Sequence, residues 1–345
     1  MPAILPSFVM DLESKMQMVV DQEYSRLNTH LWWNRFAKVR NTDAGRELLM
    51  WLLSTAQIQQ QEAAEIIEFN ELVAQIMEVK PKYASTGMRL ARNQLEDVDG
   101  NGLQLAAEWS AQVGAYMQYW PQKLVSQFLQ NAHSAAGYLA YDALPFFSAS
   151  HLVNPKDSSK GTYANLFTGG ASGSYPGALP IDVSVSVDVA LANLAKLSGY
   201  VAGIKMPNGE DPRGLRVAGI GCSPTMFPRV TQLTNAKFIA QAIGSAGGSA
   251  DVEALVASLG YGQPFQMDEL AGFESDTTYF VVLEQTNVNQ VGGLIYLDRL
   301  GFQIDYYGLQ SESILGRMQT FEWQLHGRNA VLPGHPYLVL KVKAA

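Results

Sequence analysis

The sequence predicts an α+β fold built around one long helix, with an extended hairpin before it and a sheet at the end of the chain. After residue 101, apolar residues recur at helical spacing over about 30 positions. Between residues 73 and 92, apolar positions alternate on both sides of a Lys-Pro-Lys turn, as they do in two strands. Residues 291–345 alternate again, which predicts a terminal sheet.

The region before the long helix begins with a second helical pattern. Residues 8–37 carry apolar side chains every three to four positions, which predicts a helix. The stretch RNTDAGRE interrupts this pattern with turn-forming residues. Residues 48–69 fit either an extended arm or a helix, whereas the alternation over 73–92 predicts a long, two-stranded, projecting hairpin.

The long helix carries an aromatic-rich apolar stripe, which predicts packing under a sheet in preference to a cofactor site. Pro121 lies inside the stripe. Because proline removes a backbone donor and clashes with the preceding turn, we expect a kink or a restart there. The stripe consists of Leu103, Ala106, Trp109, Val113, Tyr116, Met117, Trp120, Leu124, Phe128 and Leu129.

An irregular region and an α/β region follow the long helix. Residues 140–180 contain Gly, Ser, Pro and Asn throughout, and irregular segments of this length are usually functional loops or interaction arms. A helix is predicted at about 185–204 from its apolar spacing. Buried strands are predicted at 215–223 and 276–285, with a helix opened by a Ser-Pro pair between them.

Composition narrows the class of protein. Charged residues make up only 16% of the 345 residues, below the usual quarter. This composition fits a subunit whose surface is buried against other subunits, or a large monomer with a large core. Sequence-independent nucleic-acid binding requires clustered Lys and Arg. This sequence has a net charge of −8 and contains no such block. The single cysteine, Cys222, excludes an intrachain disulfide and a cysteine-based zinc site, and suits a reducing cytoplasm.

No targeting or membrane segment is predicted. The first residues lack the basic stretch and long apolar run of a signal peptide. The apolar stretches are shorter than the roughly 18 residues that a membrane helix needs.

The stretch DVDGNGLQLAAE (97–108) matches the calcium loop of an EF-hand. Asp97, Asp99 and Asn101 fall at ligand positions, Gly102 falls at the sharp turn and Glu108 at the last position. The preceding residues alternate like a strand, however, and the chain has no second such loop. We therefore interpret Asn101 as the cap of the long helix, with the two aspartates near its positive end, and predict no metal site.

Catalytic signatures are also missing from the sequence. The stretch GIGCSPT lacks a nucleophile elbow, and Cys222 in an apolar run is typical of a core cysteine. The five histidines have no paired metal-ligand spacing: His30, His133, His151, His326 and His335. We predict no catalytic residue, cofactor residue or cofactor, although an enzyme whose site is built from distant residues stays open.

Four segments resemble the major head (capsid) subunit of Mu-like bacteriophages and prophages. They are NQLEDVDGNG (93–102), WPQKLVSQFLQNA (120–132), YDALPFFSASH, which carries Tyr141, Asp142, Phe146, Phe147 and His151, and DPRGLRVAGIGCSPTMFPRV (211–230). The resemblance is best over residues 70–155. Leu152 stands where the family usually has proline, and the first 70 residues carry no matching motif.

The resemblance implies the HK97-like capsid fold and divides the chain into five parts. These are an N-terminal arm (1–44), an E-loop hairpin (45–96), a peripheral domain with the spine helix and loop (97–182), an axial domain (183–290) and return strands (291–345). The spine helix would run from Asn101 to about His133, the end of the apolar pattern.

The resemblance also implies a structural function, with no enzymatic activity. The chain would self-assemble into pentamers and hexamers, and then into an icosahedral virion shell around double-stranded DNA without sequence-specific binding. The implied partners are a scaffold, a portal and cement proteins, with assembly in the host bacterial cytoplasm and no membrane contact. Two alternatives remain at this point: an encapsulin-like shell with an enzyme cargo, and a soluble α/β enzyme.

Overall fold

The computed structural model of the chain describes residues 6–26, 31–43, 47–52, 74–96, 101–134, 138–171, 175–235, 262–285, 292–307 and 320–343. The helices in these ranges are α1 (Pro6–Ser25), α2 (Arg92–Glu96), α3 (Asn101–Asn131), α4 (Val187–Ala202) and α5 (Phe227–Asn235). The strands are β1 (Ala37–Asn41), β2 (Glu47–Leu52), β3 (Ala74–Val79), β4 (Lys82–Ala91), β5 (His151–Leu152), β6 (Thr162–Tyr163), β7 (Leu166–Phe167), β8 (Leu215–Cys222), β9 (Phe265–Gln266), β10 (Tyr279–Gln285), β11 (Leu294–Tyr307), β12 (Thr320–Pro333) and β13 (Val339–Val342).

A four-stranded sheet in the order β1-β11-β12-β4 supports the long helix α3. The β1–β11 pair is parallel, and the β11–β12 and β12–β4 pairs are antiparallel. One face of β12 supplies Phe321, Trp323 and Leu325 to the buried clusters under α1 and α3. Its alternate residues lie on the other face because side chains in a strand alternate between the two sides.

Helix α1 packs directly against α3. Leu12, Met16 and Val20 of α1 are buried in the clusters that contain the apolar stripe of α3. A Cβ added to Gly114 would lie only 2.7 Å from the carbonyl oxygen of Val20, so glycine is what allows the two backbones to come this close. The predicted arm over 1–44 is thus, in its described part, a packed helix followed by a sheet strand.

The second large sheet has five strands, in the order β7-β13-β10-β8-β9. One face of this sheet packs with α4 and α5 in the largest buried cluster, which includes Leu194, Ile220 and Val281. The other face contributes Phe280 and Val339 to a second cluster with the carboxyl-terminal half of α3. The last strand, β13, is therefore buried on both sides in the middle of the molecule's core.

Strands β2 and β3 pair only with each other, as an antiparallel two-stranded sheet. The predicted pairing of the two strands around the Lys-Pro-Lys turn is therefore wrong. Strand β3 ends before this turn, and β4, which follows it, pairs with β12 in the four-stranded sheet. Local alternation identified both strands correctly, but a strand's partner depends on residues far away in the chain.

The long helix runs from Asn101 to Asn131, close to the predicted span. It continues through Pro121, so the helix does not restart there. The helix predicted over 8–37 ends earlier, at Ser25, and Trp33–Arg35 forms a 3-10 turn before β1. The apolar spacing that continued past Ser25 comes from Trp32 and Phe36, which are buried in the cluster below the five-stranded sheet.

The α/β region agrees with the sequence-based prediction. Helix α4, strands β8 and β10, and helix α5 lie within the predicted spans. In its described part, the region predicted to be irregular, 140–180, contains the short strands β5, β6 and β7 and a 3-10 turn at Ser158–Lys160. No helix in the described part of the chain is long and apolar enough to cross a membrane.

Candidate functional site

The calcium-loop motif lies mostly outside the described residues. Asp97 and Asp99 belong to the undescribed stretch, and the short helix α2, not a strand alone, precedes it. Glu108 is exposed on α3, where its carboxylate accepts a hydrogen bond from Gln104 Nε2 at 2.9 Å. Among the described residues, no group of three or more His, Cys, Asp or Glu side chains could hold a metal ion. The capping role of Asn101 stays a prediction.

The cysteine and the histidines occupy different structural settings. Cys222 is fully buried, and burial raises the pKa of its thiol to about 12, so the nucleophilic thiolate is not formed at neutral pH. His133 is exposed after the end of α3, and His326 lies 3.3 Å from Asp305 on the four-stranded sheet. His335 is buried, and its pKa falls to about 3 because of burial and the nearby Arg213. His30 lies outside the described residues.

His151 is the exception, because it forms a fully buried pair with Asp142. His151 Nδ1 lies 2.8 Å from Asp142 Oδ2, and both side chains are 0% exposed. The same carboxylate accepts hydrogen bonds from the backbone N–H groups of Leu152 and Leu144. Residues 142–152 are thereby closed into a loop around one carboxylate, which we call the Asp142–His151 lock.

The hydrogen bonds of the lock determine its charge. Burial raises the pKa of Asp142, but the hydrogen bond and charge of His151 and the two backbone N–H groups together lower it below its ordinary 3.8. His151 Nε2 lies 3.0 Å from the carbonyl oxygen of Phe146, which can only accept. Both ring nitrogens therefore lie within hydrogen-bond distance of oxygen atoms, so the lock is a buried histidine–carboxylate pair.

A second carboxylate joins α3 to the segment before β10. Glu269 accepts hydrogen bonds from Gln122 Nε2 at 2.6 Å and from Trp32 Nε1 at 3.1 Å. Burial, together with the hydrogen bond to Glu269, raises the pKa of Tyr119 to about 12, so Tyr119 stays a neutral donor. Gln122 also accepts from the backbone N–H of Trp32, which attaches the start of β1 to the same point.

A strained turn immediately before β10 contains a buried ion pair. The φ angles of Glu274, Ser275 and Asp276 are 46°, 59° and 58°. This is a left-handed backbone conformation, which residues other than glycine adopt at a cost in free energy. Lys341 Nζ of β13 lies 2.8 Å from Glu274 Oε1. Burial raises the pKa of Glu274, but Lys341 and Thr278 lower it below its ordinary 4.5, so the pair is ionised at neutral pH.

These three arrangements are structural, and sequence reasoning missed their pairings. Asp142 and His151 were noticed only as part of a family motif, and Glu269 and Lys341 were not singled out. A pair nine residues apart in an irregular loop has no periodic signature. A lysine in the apolar run YLVLKV was the one available sign of a buried ion pair.

The surface carries apolar features suited to contact with other subunits. A groove of about 200 Å³ between α1 and the start of α3 is lined by Leu12, Met16, Val19, Leu103 and Ala107, with Asp11 and Lys15 at its edge. Apolar side chains also remain exposed on this part of the molecule. Such patches in a protein with few charges are typical of interaction surfaces.

Comparisons with known proteins identify the fold and show a similarity to one family. The capsid of the cyanophage P-SCSP1u is similar with a TM-score of 0.53 at 12% identity, over 93% of this chain and 90% of that chain. The procapsid of bacteriophage JBD30 has a TM-score of 0.49 at 13% identity, over 99% of this chain and 76% of that chain. No curated protein sequence matches the chain.

The long helix beneath a four-stranded sheet, the separate hairpin and the second sheet together have the architecture of the HK97-like fold. The family model described as "Mu-like prophage major head subunit gpT" matches residues 11–177, from α1 to the irregular loop. Over this span the chain is similar to the major head subunits of Mu-like prophages. It is a phage major capsid protein, a structural component of the virion that associates with copies of itself, and not an enzyme.

Proposed function

We propose that this chain forms pentamers and hexamers that close into an icosahedral head around the double-stranded DNA of a tailed, Mu-like phage. The observation that carries the proposal is the family match over residues 11–177, which contains most of α1, the hairpin strands and the whole of α3. The family match favours a phage head over an encapsulin-like shell.

The hairpin β2–β3 supports a role in contacts between subunits. It belongs to neither large sheet, and an isolated two-stranded hairpin is only marginally stable in water. The sequence of β2, ELLMWL, is apolar, so cover from a neighbour would stabilise it. Residues 45–96 would then act as the E-loop, and 97–182, 183–290 and 291–345 as the peripheral, axial and returning parts.

The net charge of −8 suits a container for DNA. Sequence-independent DNA affinity depends on clustered cations that displace counterions from phosphate. An acidic chain with few cations encloses DNA without adhering tightly to it. The further partners we propose are a scaffold, a portal and cement proteins, with assembly in the host bacterial cytoplasm.

Electron microscopy of the full-length chain, expressed with the genes that surround it, tests the proposal. We expect closed shells that contain nucleic acid when the packaging proteins are present. A monodisperse monomer that never enters shells, even with its scaffold, would contradict the proposal. Shells that enclose an enzyme instead of DNA would favour an encapsulin-like function.

A further inference from the structure

Arg213 is a buried cation that has no carboxylate partner. Only 4% of the residue is exposed, and no Asp or Glu side chain in the described part of the chain forms an ion pair with it. Its Nε donates a hydrogen bond to the carbonyl oxygen of Lys205 at 3.2 Å. Its Nη2 is buried and has no acceptor among the described residues. Burying a charge without a counter-ion is costly, so a partner from solution would stabilise this group.

The carboxylates near Arg213 are bound to other groups. Burial raises the pKa of Tyr163, and nearby Asp142 adds to this rise whereas Arg213 opposes it. Asp142 therefore lies in the same region, but its carboxylate is already bound in the lock. Asp211, two residues before Arg213, accepts a hydrogen bond from Asn208 Nδ2 at 2.7 Å. Neither carboxylate neutralises the guanidinium group.

The ring of Tyr337 supports the guanidinium group but does not replace an anion. The guanidinium carbon of Arg213 lies over this ring, 4.0 Å from its centre. An aromatic face attracts a cation, which accounts for part of the stability of the buried charge. The net positive charge stays, however, and Nη2 has no oxygen acceptor among the residues that the structure describes.

His335 contributes a second unpartnered nitrogen beside the same ring. Its ring centre lies 5.1 Å from that of Tyr337. Only 8% of the residue is exposed, and its Nδ1 has no hydrogen-bond partner within the described part of the chain. Burial, together with the charge of Arg213, lowers the pKa of His335 to about 3, so the ring is neutral at neutral pH. A neutral imidazole carries one N–H group, which donates from Nδ1 in one of its two tautomers.

We propose that Arg213 Nη2 and His335 Nδ1 together bind one small monatomic anion of the size of chloride beside the ring of Tyr337. The anion accepts a hydrogen bond from each nitrogen, with the His335 proton on Nδ1, and it neutralises the buried guanidinium group. A water molecule would satisfy the two donors but would leave the charge unpaired. The small exposed fractions of both residues favour a compact ion over a larger oxyanion. Binding of this ion needs neither a shell nor a second copy of the chain, so it goes beyond the proposed function.

The anion connects two chain segments that lead into the five-stranded sheet. Arg213 lies two residues before β8, and His335 lies directly before the 3-10 turn Pro336–Leu338, which leads into β13. These two strands flank β10 in the sheet. Since the unfolded chain does not hold these groups together, the ion binds the folded chain preferentially and stabilises it.

The chloride dependence of unfolding in the unassembled, full-length chain tests the site. Urea unfolding is followed while sodium chloride replaces sodium gluconate at constant ionic strength, because gluconate is too large for an enclosed site. Above the dissociation constant, we expect the ratio of folded to unfolded chain to rise about tenfold for each tenfold increase in chloride. Bromide should act as chloride does. A urea midpoint that is the same in chloride and in gluconate would overturn the proposed site.

Three single variants assign the effect to these side chains. Arg213→Met removes the charge, so the chloride dependence should disappear, and its persistence would assign it to general salt effects and overturn the site. His335→Phe removes one of two donors, so the chloride concentration at which stabilisation begins should rise about tenfold. Arg229→Met is the matched control and should keep the chloride dependence of the unmodified chain. Arg229 also has a buried Nε without a partner in the described part of the chain, but it is partly exposed and donates through Nη2 to the carbonyl oxygen of Val185.

Bromide locates the ion in the unmodified chain, so this measurement decides the question even if Arg213→Met does not fold. Crystals of the unassembled chain grown in sodium bromide should show an anomalous-scattering peak within hydrogen-bond distance of Arg213 Nη2 and His335 Nδ1. An ordered water at this position, or no peak, would overturn the site. A peak without any chloride dependence of unfolding would mark an adventitious ion only and would also overturn it. Stabilisation by phosphate, but not by chloride or bromide, would overturn the choice of a monatomic ion.

Discussion

Removal of the buried carboxylate in the Asp142–His151 lock should destabilise the fold far more than removal of an exposed carboxylate that also pairs with a histidine. Asp142→Ala leaves the buried His151 ring without its carboxylate partner, and it leaves the N–H groups of Leu152 and Leu144 without their acceptor. Breaking a buried ion pair in this way costs about 3–5 kcal/mol. For cooperative unfolding of 345 residues, this corresponds to a melting temperature lower by about 4–7 °C.

The chain supplies its own matched control in Asp305, which lies 3.3 Å from His326 on the four-stranded sheet. These side chains are 44% and 27% exposed, so Asp305→Ala should cost about 0–1 kcal/mol. Differential scanning calorimetry or urea unfolding of the unassembled chain measures both variants. Replacement of Asp142 and His151 together should cost less than the sum of the two single changes. Equal destabilisation by Asp142→Ala and Asp305→Ala would refute the assignment of a buried ion pair.

Three further predictions concern titration, reactivity and packing. The pKa of His335 in the folded chain is about 3, below its ordinary 6.5, so the unfolded chain binds the extra proton first as the pH falls. The free energy of unfolding should therefore be at its full value above pH 6.5 and fall by about 1.4 kcal/mol per pH unit toward pH 3. Urea midpoints measured across this range should show a weaker slope in His335→Phe. Cys222 should resist a thiol reagent until urea unfolds the chain, and fast reaction of the native chain would contradict its burial. Gly114→Ala should lower the free energy of unfolding by about 1–3 kcal/mol, because the added Cβ meets the Val20 carbonyl oxygen. Gly199→Ala, which places its Cβ in open space on α4, should raise it by up to about 1 kcal/mol. Calorimetry measures both variants, and a change of the same sign in both would be inconsistent with the α1–α3 contact.

Sequence patterns predicted those elements whose environment repeats along the chain. The stripe from Leu103 to Leu129 predicted α3 because one face of the helix is buried along much of its length. The strands β8, β10 and β12 were predicted for the same reason, since each buries a regular set of side chains. Family resemblance then supplied the class of protein, which the individual residues did not.

Pairing across long sequence separations could not be predicted in this way. Strand β4 pairs with β12, more than two hundred residues later, and no local signal distinguishes that partner from β3. The Asp142–His151 lock has the same origin, because folding brings its two side chains together within an irregular loop. The segment after Ser25 was assigned to a helix because Trp32 and Phe36 keep a helical spacing. In the structure these two residues flank a 3-10 turn and pack in the core.

The dependence of both sheets on the last part of the chain has a consequence for translation. Helices α1 and α3 leave the ribosome long before β12, which carries Phe321, Trp323 and Leu325 into the clusters beneath them. Strand β13, which lies between β7 and β10 in the other sheet, is made later still. Contacts with such large separations form late in folding. A prematurely terminated polypeptide therefore has neither sheet complete and presents no finished surface to its neighbours, so the topology itself excludes incomplete copies from the particle.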